Sequence, residues 1–175
     1  MRSSLAPAAL VLAISVALPG VAVAGYAFDA IDGGLIDLAT FSGQPVLVVN
    51  TASLCGFTPQ YDDLQALQDD YGARGLVVLA VPSDDFSQEL DDAGAVKEFC
   101  AVNFDLTLPM TDITTVTGEA AHPFYQWLRT EHGFQPSWNF NKVLIGPTGE
   151  LVATWGSTTR PTSRAITSKI EPFLN

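Results

Sequence analysis

Two continuous apolar segments separated by one helical pattern constrain this chain more than any other feature. Residues 46–50 and 76–81 are uncharged and rich in β-branched and aliphatic side chains, which is typical of strands buried on both faces. Between them, apolar residues recur at helical spacing over residues 64–71, and Thr58-Pro59 offers a cap followed by a first-turn proline. The pattern predicts a β-α-β unit with parallel strands and a helix that ends near Gly72.

The other segments predict further elements of a single α/β domain over residues 25–175. Two short strands flank Asp32-Gly33-Gly34 within residues 27–37, which favours an N-terminal β-hairpin. Helices are predicted at residues 91–103, 123–130 and 164–173, and strands at residues 106–110, 143–145 and 151–155. The last two strands flank a Gly-Pro-Thr-Gly turn and should form an antiparallel hairpin. No repeat or linker divides these segments, so we expect a mixed sheet with helices on both faces.

The composition excludes several classes of partner. The chain is 47% apolar and 15% charged, which is enough apolar surface for a packed core and too little charge for a disordered chain. Its 19 acidic side chains against 8 basic ones give a formal net charge of −11. Such a surface repels nucleic acid and anionic membranes. We therefore expect a small molecule or a soluble protein as the partner.

The first segment predicts export. Arg2 is followed by no charged residue before Asp29, residues 5–18 are apolar, and Ala22-Val23-Ala24 has the small residues that a signal peptidase reads. We expect a signal peptide over residues 1–24, cleaved before Gly25, and a periplasmic or secreted protein without stable membrane association. An uncleaved membrane anchor is the alternative, because the uncharged stretch approaches the length that spans a bilayer.

Two cysteines in an exported chain require an explanation, because thiols there form a bond or react. Cys55 lies between the first buried strand and the following helix, where unpaired backbone N–H groups and the helix dipole favour a thiolate. A buried, inert cysteine is the alternative, and the position alone leaves both open. With two cysteines and two histidines that do not cluster, we expect no metal and no other bound cofactor.

Residues 48–61 read Val-Val-Asn-Thr-Ala-Ser-Leu-Cys-Gly-Phe-Thr-Pro-Gln-Tyr and resemble the active-site segment of the glutathione peroxidase family, with cysteine where some members carry selenocysteine. Similar segments continue at residues 81–89, 97–100, 106–110, 121–128 and 138–144. The resemblance thus covers nearly the whole chain after residue 24. It implies a thioredoxin-like fold and the reduction of hydroperoxides to water or alcohols.

The resemblance also implies which residues react. Cys55 matches the peroxidatic cysteine, and Gln88, Trp138 and Asn139 match the other three members of a catalytic tetrad. Thiolate attack on an O–O bond expels hydroxide or alkoxide, so neutral N–H donors such as amides and an indole suit the site. The alternatives are a solvated loop glutamine, a core tryptophan and a turn asparagine.

Cys100 matches the resolving cysteine of the non-selenium, thioredoxin-dependent branch. In that reading, Cys55 becomes a sulfenic acid, Cys100 condenses with it, and an external dithiol restores both thiols. A static disulfide or an inert buried Cys100 is the alternative. Because Cys100 lies on its own predicted helix, we expect local unfolding before it reaches Cys55.

The segment of residues 81–89 departs from the family pattern, since it is one residue shorter and carries Asp84 and Asp85. These carboxylates would raise the pKa of Cys55 if they pointed inward, but we expect them to face solvent. His122, before Pro123, should be a helix cap or a surface residue rather than a base.

Charge also bears on the reductant that the family resemblance requires. An acidic chain favours a thioredoxin-like dithiol protein over anionic glutathione as the reductant. The chain also lacks the extended insertion of tetrameric family members, so we expect a monomer. Two further functions remain open from the sequence. One is a thiol-disulfide oxidoreductase, disfavoured because no Cys-x-x-Cys contains Cys55; the other is a non-enzymatic redox sensor or binding module.

Overall fold

The structure is a computed structural model that describes residues 25–175, so the predicted signal peptide lies outside the described residues. Strands β1 (Ala27–Asp29) and β2 (Leu35–Asp37) pair antiparallel and form the predicted N-terminal hairpin. Gly33 and Gly34 make the turn at φ of 85° and 81°, a region in which a side chain would be strained. None of the described helices is long and apolar enough to cross a membrane.

The central sheet has four strands in the order β4-β3-β5-β6. Strands β3 (Val46–Thr51) and β4 (Val77–Pro82) are parallel and connected through helix α1 (Gln60–Tyr71), as the β-α-β pattern predicts. Strands β5 (Lys142–Ile145) and β6 (Leu151–Trp155) form the predicted hairpin, and β5 also pairs antiparallel with β3. The sheet is therefore mixed.

Helices cover both faces of this sheet because alternate side chains of β3 enter two different cores. Leu47 and Val49 pack with α1, with α2 (Ala93–Phe104) and with α4 (Arg164–Ile170). Val46 and Val48 pack on the other face, with the N-terminal hairpin and with α3 (Pro123–His132). A 3₁₀ turn, Glu171–Phe173, completes the helix predicted to end at residue 173.

The prediction of a strand at residues 106–110 is wrong, because these residues form no strand in the structure. Of these residues, only Met110 pairs with the sheet, through a single parallel bridge to Ala80 of β4, which is the edge strand. Pro109 has no N–H to donate, so it contributes only its carbonyl oxygen, which accepts from the Ala80 N–H at 3.0 Å. The apolar character of the segment reflects burial against α2 and β4 rather than strand pairing.

Candidate active site

A hydrogen-bonded turn presents Cys55 between β3 and α1. Its backbone N–H donates to Thr58 Oγ1 at 3.0 Å, and its carbonyl accepts from the Thr58 N–H at 3.0 Å. The Thr58 hydroxyl donates in turn to the Ala52 carbonyl at 2.9 Å. The prediction that Thr58 caps α1 is therefore wrong, since the helix begins at Gln60 and has no side-chain cap. The Thr58 hydroxyl is used to close the turn around the cysteine instead.

The Cys55 side chain is buried, with 8% of the residue exposed. Its sulfur accepts a hydrogen bond from the Phe57 backbone N–H at 3.4 Å. A backbone N–H directed at sulfur in the turn before a helix stabilises a thiolate. The strand-to-helix position predicts such a backbone N–H contact at the sulfur, and the structure shows one.

The loop of residues 83–92 between β4 and α2, here named the Gln88 loop, packs directly on the Cys55 turn despite its shortened sequence. The Gln88 carbonyl accepts from the Leu54 N–H at 2.9 Å, and Glu89 Oε1 accepts from the Ser53 N–H at 2.9 Å. Ser87 adopts a φ of 54° to make the bend. Two adjacent residues of this loop thus hold the two residues that precede Cys55.

Asn139 joins this cluster through Gln88. Its Nδ2 donates to Gln88 Oε1 at 3.0 Å, and the residue is fully buried. Because the amide oxygen of Gln88 accepts this bond, its NH₂ group remains a donor. The structure therefore makes Gln88 and Asn139 a hydrogen-bonded pair beside the Cys55 turn, rather than a solvated loop residue and a turn residue.

Trp138 forms the exposed edge of the same cluster. It is 40% exposed, and its ring packs on Phe86 of the Gln88 loop with 5.4 Å between ring centroids. A core tryptophan, the alternative, is excluded by this exposure. All four residues of the predicted tetrad thus belong to segments that meet at the ends of β3 and β4.

A buried polar network that the sequence did not predict fixes the Trp138 loop. The Trp138 carbonyl accepts from Asn50 Nδ2 at 3.0 Å and from Asn141 Nδ2 at 2.8 Å. The Asn139 carbonyl accepts from the Ser157 hydroxyl at 2.6 Å. The sequence feature that could have predicted this network is Asn50, an asparagine at the end of an apolar strand, because a buried amide needs hydrogen-bond partners.

Lys142 extends the network to α1 and is fully buried. Its Nζ donates to Gln60 Oε1 and to the Ser157 carbonyl at 3.2 Å. Burial lowers the pKa of Lys142 to about 8, and the Asp63 carboxylate opposes the shift. A lysine at the start of an apolar strand was the feature of the sequence that could have predicted this buried network.

Lys142 predicts a specific pH dependence of stability. The unfolded chain holds a proton on this lysine up to about pH 10.4, whereas the folded protein releases it near pH 8, where burial places the pKa. Between these values the unfolded state holds more protons on Lys142, so this residue makes the free energy of unfolding rise with pH, by at most about 1.4 kcal/mol per unit. The raised pKa of Cys100 acts in the opposite direction above about pH 8.5. Denaturant titrations from pH 7 to pH 10 should therefore show the free energy of unfolding of the wild type increasing relative to that of Lys142→Met. Parallel profiles would contradict the assignment.

Cys100 lies in α2 and is 2% exposed. Burial raises the pKa of its thiol to about 11, and the charge of Glu89 adds to the shift. Both cysteines are free thiols and border the same apolar core. A cavity of about 230 Å³ lies between Cys100 and residues 106–110.

The two extra acidic residues face solvent and His122 caps a helix, as the sequence predicts. Asp84 and Asp85 are exposed; Asp84 accepts from the Glu89 N–H, and Asp85 Oδ2 accepts from the backbone N–H of Val116 and Thr117. These bonds anchor the loop rather than charge the Cys55 turn. His122 caps α3 by accepting from the Phe124 N–H.

Within residues 25–175, no group of three or more His, Cys, Asp or Glu side chains is arranged to hold a metal ion.

Comparisons with known proteins identify relatives of this chain. The family model described as glutathione peroxidase matches residues 23–129. The "Hydroperoxy fatty acid reductase gpx1" of Synechocystis sp. is 37% identical over 86% of this chain and 94% of the relative. The "Glutathione peroxidase-like peroxiredoxin GPX5" of Chlamydomonas reinhardtii is 39% identical over 80% of this chain and 94% of the relative.

Solved structures show the same fold. "Crystal structure of Trgpx in apo form" superposes with a TM-score of 0.66 at 32% identity, covering 87% of this chain and 97% of that one. "Crystal structure of T. cruzi GPX1" gives a TM-score of 0.66 at 26% identity, covering 87% and 95%. A putative thiol:disulfide interchange protein, a secreted disulfide oxidoreductase and a secreted thiol-disulfide isomerase, at 14–19% identity, share the thioredoxin-like fold.

Proposed function

The chain belongs to the glutathione peroxidase family, and from this premise we propose that it is an exported thiol peroxidase that reduces hydrogen peroxide or organic hydroperoxides through Cys55. One observation carries the proposal. The Cys55 sulfur accepts a backbone N–H bond, in a turn held against the hydrogen-bonded Gln88–Asn139 pair. A nucleophile and neutral donors placed together in this way are what O–O cleavage requires.

The first step is oxidation of Cys55. The thiolate attacks one peroxide oxygen; the S–O bond forms, the O–O bond breaks, and the departing alkoxide or hydroxide takes a proton to become an alcohol or water. Sulfur is oxidised to a sulfenic acid, and the peroxide is reduced. The free NH₂ of Gln88 and the indole N–H of Trp138 are the donors that would stabilise the departing oxygen, and Asn139 holds Gln88 in place.

The second step is attack by Cys100 on the sulfenic acid, which forms a disulfide and releases water. Helix α2 fully buries only Val96 and Cys100, and the cavity beside Cys100 provides room for movement. Segments with few buried contacts open locally at low free-energy cost. We therefore expect α2 to open locally before the Cys100 sulfur reaches Cys55.

A thioredoxin-like dithiol protein is the proposed reductant, with glutathione less suited. Arg160, on the rim of the cavity beside Gly56 and Phe57, already forms an ion pair with Asp63. An anionic tripeptide would thus meet a strongly acidic chain whose nearby guanidinium is paired. The exposed side chains of Leu54 and Trp138, at 60% and 40%, instead offer an apolar contact for a protein or for the organic part of a hydroperoxide.

Export is proposed from the sequence of residues 1–24 alone. Intact-mass analysis of protein recovered from the periplasm or medium should give a chain beginning at Gly25. A cytoplasmic, full-length chain would contradict this part of the proposal.

Rapid mixing of the reduced protein with hydrogen peroxide or an alkyl hydroperoxide tests the function. We expect loss of the Cys55 thiol at least about a thousandfold faster than for a free cysteine, because local N–H donors stabilise both thiolate and leaving group. A rate equal to that of free cysteine would reject the peroxidase. In that case, turnover of protein disulfides without peroxide would favour an oxidoreductase, and a stable oxidised form with a binding partner would favour a redox sensor.

A further inference from the structure

Four buried side-chain oxygens without a hydrogen-bond partner lie between the Cys55 turn and α2. They belong to Thr51, Ser53, Tyr61 and Glu89, and these residues are only 0%, 4%, 0% and 7% exposed. Native proteins rarely bury polar atoms without partners. A cluster of four at one place, next to a redox site, therefore points to a chemical role.

Cys100 borders this cluster from the α2 side. The Tyr61 hydroxyl lies beside the Thr51 hydroxyl and the Cys100 thiol, and the charge of Glu89 raises the pKa of both Tyr61 and Cys100. The cluster therefore contains three titratable groups from three elements: α1, α2 and the Gln88 loop. The remaining charged neighbour of Glu89 is Asp84, on its own loop.

The two carboxylate oxygens of Glu89 have different surroundings. Its Oε1 accepts from the backbone N–H groups of Ser53 and Leu90, both at 2.9 Å, whereas its Oε2 is buried and accepts no hydrogen bond of normal geometry. The Ser53 hydroxyl lies beside the carboxylate and partly offsets the effect of burial on its pKa. Burial raises the pKa of Glu89 above its usual value, so the carboxylate is a stronger base than an exposed one. Oε2 is thus a fixed, basic proton acceptor. The same carboxylate holds Ser53, which lies two residues before Cys55 in the sequence.

We propose that Glu89 is the general base that takes the proton of Cys100 as this thiol attacks oxidised Cys55, and that the Tyr61 hydroxyl stabilises the sulfur as it becomes anionic. The proposal rests on the resolving role of Cys100 stated above. The Cys100 sulfur forms the S–S bond, the S–O bond of the Cys55 sulfenic acid breaks, and the departing hydroxide recovers the proton from Glu89 as water. Cys100 is thereby oxidised and the sulfenic sulfur reduced to the disulfide level.

Charge explains why an internal base is needed. With a pKa of about 11, the Cys100 thiol is ionised in only about one molecule in ten thousand at pH 7. Losing its proton to solvent while Glu89 is ionised would leave two like charges in the same buried cluster. Transfer to Glu89 moves one charge from oxygen to sulfur and leaves the buried total unchanged, so the thiolate forms at lower cost.

Glu89→Gln tests the proposal because it removes the base and keeps an oxygen that accepts from Ser53. At pH 7 we expect disulfide closure to slow by at least about tenfold, and to slow far more than sulfenic acid formation at Cys55 does, because the amide oxygen still accepts from the Ser53 N–H that Glu89 holds. Closure in the wild type should be independent of pH once Glu89 is ionised. In Glu89→Gln it should rise about tenfold per pH unit toward the pKa of the thiol. Stopped-flow fluorescence and trapping of the sulfenic acid separate the two steps.

Two further variants keep the test decisive. Glu98→Gln removes an equal charge from the exposed surface of α2 and should close at the wild-type rate. Tyr61→Phe should slow closure several-fold without slowing the first step, and it tests the cluster even if Glu89→Gln fails to fold. Wild-type closure speed in Glu89→Gln, or equal slowing of both steps, would overturn the inference while leaving the peroxidase intact. Absence of a Cys55 sulfenic acid in the wild type would overturn both.

Discussion

Replacing Cys55 with serine should lower the rate of peroxide consumption by at least about a thousandfold, to the background of a protein without a reactive thiol. The serine hydroxyl stays protonated near neutral pH, so the N–H of Phe57 that meets the Cys55 sulfur has no anion to stabilise. Oxygen is also a far poorer nucleophile toward peroxide than a thiolate. Peroxide-electrode or stopped-flow measurements with the reduced variant would give the rate.

Cys100→Ser is the matched control for this loss, since it also removes one buried thiol. In a single-turnover experiment it should still consume one equivalent of hydroperoxide at nearly the wild-type rate. Peroxide consumption that persisted in Cys55→Ser and disappeared in Cys100→Ser would reverse the assigned roles. Unchanged consumption in both variants would place the chemistry outside the two cysteines.

The Cys100→Ser variant should fail in the second half of the cycle, with steady-state turnover supported by a thioredoxin-like dithiol reduced by about a hundredfold. Without a resolving thiol, the Cys55 sulfenic acid persists and a second peroxide oxidises it to the sulfinic acid. Mass spectrometry of Cys55 after repeated peroxide additions should show two added oxygens in the variant and a Cys55–Cys100 disulfide in the wild type.

Ala101→Ser controls for disturbance of α2, because it adds a hydroxyl to the exposed neighbour of Cys100 on the same helix. It should cycle like the wild type. Normal dithiol-dependent turnover of Cys100→Ser would contradict the resolving role, and the external reductant would then have to attack the sulfenic acid directly.

The β-α-β core could be predicted because its signal is local. Composition and spacing predict two uncharged strands and an amphipathic helix, and the observed parallel pairing of β3 with β4 is the pairing expected when one helix connects two strands. The prediction failed at residues 106–110, where burial of an apolar segment looks the same in sequence whether or not a ladder forms. It failed at Thr58 because a hydroxyl before Pro59 can cap a helix or close the preceding turn equally well.

For the candidate site, the sequence likewise predicts some features and not others. The pattern around Cys55 and its resemblance to a known family were readable residue by residue. The contacts that make the residues act together were not, since Asn139 meets Gln88 across 51 positions and Glu89 meets Ser53 across 36. Such pairings depend on how loops pack after the sheet forms, and single-sequence periodicity contains no information about them.

The sequence by itself determined the class of fold, the position of Cys55 between a strand and a helix, and the acidic composition, because hydrophobic periodicity, residue order and net charge are properties of the chain. The tertiary structure decided the surroundings of each reactive group: the N–H directed at Cys55, the burial of Cys100 and Lys142, and the enclosure of Glu89 beside Tyr61. A pKa depends on the distance to other charges and to solvent. Those distances exist only once segments far apart in the chain have packed together.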